Sequence, residues 1–137
     1  MKKRRIDETP IFQKTYALIK KMALICPQVP KMHRYTLWER CELKGLRALE
    51  TLIAIGHATE FQDRVRLLIL LSQEIDILKV LIRLSKECRA IDVKAYLFLE
   101  KLLNEMGRMV GGWLKSVNEK KLASPERSLQ ECSEEKR

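Results

Sequence analysis

The chain has 137 residues, 46% of them hydrophobic, 33% charged and only 6% aromatic, with five glycines and four prolines. That size and balance suit one compact all-helical domain better than a β-sandwich or a disordered chain. The formal charge is +9; residues 122–137 sum to −1, so the remainder carries +10 and points to a polyanionic partner.

The first helical signal is "TP", with Thr9 as N-cap and Pro10 at the first helical position, where its missing N–H does no harm. Apolar residues continue through Phe12, Tyr16, Ile19 and Ala23, and the helix must end before Pro27 and Pro30. A second helix opens at "TLWE", where Thr36 and Glu39 have capping-box spacing. Its apolar positions are Trp38, Cys41, Leu46, Leu49, Leu52, Ile53 and Ile55, and Gly56 marks its end. "TEFQ" repeats the capping logic with Thr59 and Gln62. From Val65 to Cys88 this third helix is apolar on most sides, the pattern of a strongly buried element.

Asp92 caps a fourth helix, in which Tyr96, Leu99, Leu103, Met106, Val110, Trp113 and Val117 alternate three and four apart. The connections "PQVPKMHRY", "GHA" and "RAI" are short, so neighbours should run antiparallel. The expected fold is an all-α, antiparallel up-down-up-down four-helix bundle over residues 9–121. Residues 1–8 form a basic arm before it, and 122–137 a flexible polar tail after it.

Cys26, Cys41, Cys88 and Cys132 lie far apart with no CxxC, so they read as reduced, three buried on helices and one in the tail. "MKKRR" lacks a following apolar h-region, and the longest apolar run, "LLILL", is too short to span a bilayer. The expected compartment is the cytoplasm. No GxSxG, Walker loop or GxGxxG occurs. His33 and His57 follow Pro30 and Ala54 by three residues, so a Glu-x-x-His metal site is excluded too. No catalytic residue, metal or cofactor is expected, and no small-molecule substrate.

Within "MGRMVGGWLKSV", Gly107, Gly111 and Gly112 each cost a helix interior about 1 kcal/mol relative to alanine. Gly107 and Gly111 share one face, where another backbone could come close, in this chain or in a second subunit. Alternatively, Gly111-Gly112 ends the helix and Trp113 closes the bundle as a lid. Arg108 and Lys115 argue against a membrane helix pair of the small-xxx-small type.

Basic residues form three stripes. Arg40, Lys44 and Arg47 follow i, i+4, i+7, and Lys79, Arg83 and Lys86 do the same, with Arg89 just beyond. Lys94, Lys101, Arg108 and Lys115 recur every seven residues; with a drift of about 20° per heptad they stay on one side of the helix. One such stripe alone is the ordinary look of a solubilising face, and Glu105 and Glu119 neutralise part of the last one. Three stripes without a matching acidic face favour a phosphate backbone, RNA or DNA, as partner. A purely protein-binding helical adaptor is the competing expectation.

"PIFQKTYALIKKM", "HRYTLWERCELKGLRALETLI" and "LIRLSKECRAIDVKAYLFLEKLLNEMGRMVGGWLKS" together resemble the accessory variability determinant (Avd) family of diversity-generating retroelements. The most distinctive parts are Arg34–Leu37 followed by Arg40, and Gly107–Lys115. The resemblance covers about residues 10–117. It implies a four-helix bundle assembled as a basic homopentamer. It also implies binding to the element's reverse transcriptase and template RNA, in support of mutagenic cDNA synthesis, without polymerase activity of its own. A related family, the helical bundles encoded in rRNA intervening sequences, has a "SIPSNIAEG"-like stretch where this chain has "ALETLIAIGHATE".

Overall fold

The computed structural model describes residues 5–122, and it is all-helical over that span. The basic start before Arg5 and the segment from residue 123 onward, with Cys132, lie outside the described residues. A 3₁₀ turn at Ile6–Glu8 leads into α1 (Pro10–Ile25), a second 3₁₀ turn (Cys26–Gln28) and the short α2 (Lys31–Arg34). The long helices α3 (Leu37–His57), α4 (Phe61–Glu87) and α5 (Val93–Leu122) follow. No helix among the described residues is long and apolar enough to cross a membrane.

Two of the expected starts form as read. Thr9 Oγ1 accepts from the Phe12 N–H, with Pro10 in the first turn, and Asp92 Oδ1 accepts from the Ala95 N–H at 2.7 Å. The two capping boxes do not form. Thr36 precedes α3, but its hydroxyl donates to the Met32 carbonyl at 3.1 Å, helping close α2 instead. The N-cap of α4 is Glu60 rather than Thr59, with no side-chain cap. There Arg64 Nη2 donates to the Ala58 carbonyl at 2.9 Å and ties the α3–α4 turn to the first turn of α4.

Gly56 does not stop α3, which continues through His57. A Cβ at Gly56 would lie 2.8 Å from Ile6 Cβ, so glycine is what lets the N-terminal 3₁₀ turn rest on α3. α4 closes through paired bonds: Ala90 N–H donates to the Ser85 carbonyl at 2.8 Å and Arg89 N–H to the Lys86 carbonyl at 3.0 Å.

α1 and α4 each pack on both α3 and α5, so the four long helices enclose one core. Cross-helix contacts pair rising numbers on one helix with falling numbers on the next. Cys41 meets Ser85 and Thr51 meets Glu74 between α3 and α4; Lys14 meets Glu105 and Lys21 meets Phe98 between α1 and α5. Between α4 and α5, Lys86 meets Tyr96 and Lys79 lies beside Gly107. The core is built on fully buried Leu18, Met22, Trp38, Leu52, Leu68, Leu78, Ile82, Leu99 and Leu103.

In α1 the buried row is Ile11, Thr15, Leu18, Met22 and Ile25, while Tyr16 is half-exposed. Thr15 sits inside that row because its hydroxyl donates to the Ile11 carbonyl at 2.8 Å and so brings no unpaired donor into the core. Of the cysteines, Cys41 is buried, Cys26 half-buried and Cys88 exposed, so burial does not extend to all three helical thiols. Burial pushes the Cys41 thiol up from its ordinary pKa, which keeps it protonated.

α4 is not buried on most sides. Its core row is Leu68, Leu71, Glu74, Ile75, Leu78, Ile82 and Ser85, whereas Ile69, Leu70, Ile77, Val80 and Leu84 remain 41–53% exposed. Four helices supply two neighbours for each, and a helix with two neighbours can bury only part of its circumference. The apolar outer arc of α4 therefore faces away from the core.

Glu74 is 5% exposed, and the Thr51 hydroxyl donates to its Oε1 at 2.6 Å across the α3–α4 seam. Thr51→Val should cost about 1–3 kcal/mol by leaving a buried acceptor without its donor. The double variant Thr51→Val/Glu74→Leu should recover most of that loss, because neither polar partner remains. Urea denaturation of the two variants checks both expectations.

Candidate nucleic-acid interface

Basic residues on α4 and α5 meet along one groove. Lys79 and Arg83 lie a helical turn apart on α4, opposite Asn104, Gly107 and Arg108 on α5. Two adjoining clefts that share Lys79 and Asn104 form this groove. The larger, about 400 Å³, is also lined by Ser72 and Asp76; the smaller, about 180 Å³, by Tyr96 and Glu100. At the far end the Lys86 ammonium sits 4.4 Å from the centroid of the Tyr96 ring. Burial raises the Tyr96 phenol above its usual pKa, with the neighbouring Glu100 carboxylate adding to the effect.

Gly107 has a local reason to lack a side chain, since a Cβ there would sit 3.0 Å from Lys79 Nζ. The glycine gives the ammonium room against α5. Gly111 and Gly112 differ: a Cβ at either would meet nothing within 4 Å. α5 runs through both to Leu122, so they do not terminate the helix. Among the described residues, no backbone approaches them. Trp113 is half-buried and packs against the core.

The other basic positions spread beyond the groove. Lys94 and Lys101 are exposed on α5, and Arg108 belongs both to their row and to the groove. Arg40 and Arg47 are exposed and Lys44 half-buried; helical spacing puts them in line with Thr51, and so along the α3–α4 seam. That row is separate from the α4–α5 groove. Arg89 is exposed just past α4. Arg34 is committed locally: its Nη2 donates to the carbonyls of Pro27 at 3.2 Å and Val29 at 3.1 Å, clamping the α1–α2 loop.

Electrostatically, these cations are unbalanced. Ion pairs among the described residues are Arg5–Asp7, Lys14–Glu105 and Arg66–Asp63, and none involves a residue of the three stripes. Asp76 and Glu100 line the groove, yet neither approaches a groove cation within 4 Å. The Glu105 carboxyl is held below its ordinary pKa, first by the Lys14 hydrogen bond and further by Lys101 and Arg108. No cluster able to hold a metal ion occurs among the described residues.

Tyr96, Ser72, Asp76 and Glu100 line the groove although charge patterning alone does not nominate them. Their signal was available only as helical proximity to the basic residues. The exposed apolar arc of α4 includes Leu70, Ile77 and Leu84, which recur every seven residues. On α3, Leu43, Leu46 and Ile53 are exposed as well.

Two measurements test this geometry. Gly112→Ala should stabilise the folded chain by about 1 kcal/mol, because helix propensity improves and no neighbour is displaced. Glu105→Gln should lower Tm at pH 7. A carboxyl with a depressed folded-state pKa stabilises above its unfolded pKa and loses that stabilisation as pH falls through the folded value. The Tm difference between the two proteins should accordingly shrink in strongly acidic solution.

A family model described as bAvd-like matches residues 10–117. No curated protein and no solved structure matches the chain.

Proposed function

Because the chain belongs to the bAvd-like family, we propose that it is a non-catalytic accessory subunit of a retroelement reverse transcriptase. In this reading it holds template RNA, and secondarily DNA, on its basic helix faces in the cytoplasm. The reverse transcriptase carries out the chemistry, and the accessory subunit supports mutagenic cDNA synthesis that diversifies a target sequence. The observation that carries this reading is the α4–α5 groove, lined by Lys79, Arg83 and Arg108 with Lys86 over Tyr96 at its end, none of them with a carboxylate within 4 Å.

The scaffold in this account is an up-down-up-down bundle, supported by the opposed numbering of contacts between α3 and α4, α4 and α5, and α1 and α5. Packed helices hold the cations at fixed spacing, so contacts go to phosphates rather than to base edges. With few aromatics beside them, base stacking contributes little there.

Assembly follows from surface chemistry. The apolar outer arcs of α3 and α4, with Leu43, Leu46, Ile53, Ile69, Leu70, Ile77, Val80 and Leu84 exposed, are what a second copy of the chain would cover. A closed homopentamer needs two different patches per subunit that meet head to tail. Gly111 and Gly112, with open space around them, allow a neighbouring chain to lie close to α5.

Charge reversal at Arg83→Glu/Lys86→Glu should lower RNA affinity at least tenfold while the helical circular dichroism stays unchanged. Equal affinity in this variant and in matched reversals on the other stripes would overturn the basic-face reading. Light scattering should give about 80 kDa, five times the 16.1 kDa chain; a monomer mass at micromolar concentration would contradict the ring.

A further inference from the structure

Arg89 is the sole non-glycine residue with positive φ, 63°, among the described residues. It occupies the position just past α4 where the paired bonds to Ser85 and Lys86 close the helix. Glycine is the usual residue there, because a side chain in the left-handed region crowds its own backbone. A strained residue at such a place points toward function rather than stability.

What surrounds Arg89 suggests the function. It stands at the rim of an open hollow of about 640 Å³ at the end of the bundle, between the α4–α5 turn and the loop after α1. Ile25, Pro30 and Val93 give the hollow apolar walls. Its volume lies in the range of small-molecule sites. Lys86, Glu87 and Asp92 line it together with Arg89. Those carboxylates would repel a bare phosphate, but a nucleotide brings amino or hydroxyl donors for them, a flat base for the apolar wall and a phosphate for the guanidinium.

We propose that this end hollow receives one unpaired nucleotide of a single-stranded RNA, with Arg89 held in its strained conformation to grip the adjoining phosphate. The proposal rests on the nucleic-acid reading above and adds a site at the end of the bundle, which adjoins the α4–α5 groove through Lys86. It makes stability and binding move in opposite directions when Arg89 becomes glycine.

The test compares the wild-type chain with Arg89→Gly and Lys94→Ala, which removes one exposed charge from the neighbouring α5 turn. Each is titrated into a labelled single-stranded RNA and into a blunt RNA duplex. Arg89→Gly should raise Tm by about 2–5 °C. It should weaken single-strand binding about tenfold and duplex binding no more than Lys94→Ala does. Equal losses on the two RNAs, or a single-strand loss no greater than that of Lys94→Ala, would overturn the proposal while leaving the groove reading in place. If the wild type bound neither RNA, both would fall together.

Discussion

A row of like charges on a packed helix is the constraint around which this molecule is organised. Lys79 and Arg83 are separated by one helical turn, about 6 Å of rise, and each such pair repels by about 0.7 kcal/mol in water. The Lys14–Glu105 pair shows that the chain can supply a carboxylate at 2.8 Å where α1 meets α5. It supplies none at that range to the groove cations. A phosphodiester strand laid along the groove removes the repulsion and releases its own counterions.

The core makes that arrangement possible. Leu78 and Ile82 are fully buried on the same helix that carries Lys79 and Arg83, so the cations cannot move apart without disturbing the packing. Gly107 serves the same end by leaving room for the Lys79 ammonium against α5. By contrast, a Cβ at Gly111 or Gly112 would meet no described residue within 4 Å. In the proposed assembly a second copy would cover that part of α5 together with Ile69, Leu70, Ile77, Val80 and Leu84 on the outer side of α4.

Much of the fold was legible because helix periodicity and proline are strong local signals. Pro10, Pro27 and Asp92 bounded helices where the structure has them. Less was legible where a side chain had two partners to choose from. Thr36 had capping-box spacing, but the end of α2, a four-residue helix unread in the sequence, offered the Met32 carbonyl instead. The apolar run in α4 was read as burial, because hydrophobicity does not say whether the covering surface belongs to the same chain. The basic stripes were visible one helix at a time. That those of α4 and α5 share a groove while that of α3 runs along another seam depends on which helices pack together. Arg34 illustrates the remaining limit: it sits in the most distinctive part of the "RYTL" stretch, yet its guanidinium is bonded to two loop carbonyls.

The central claim is that cations fixed along the α4–α5 groove contact phosphates, and the salt dependence of RNA affinity reports on it most directly. If Lys79, Arg83, Lys86 and Arg108 each neutralise one phosphate of a single strand, log affinity should fall against log salt with a slope of about −3 or steeper. A slope near zero, with RNA still bound, would mean that the complex is held by something other than these charges.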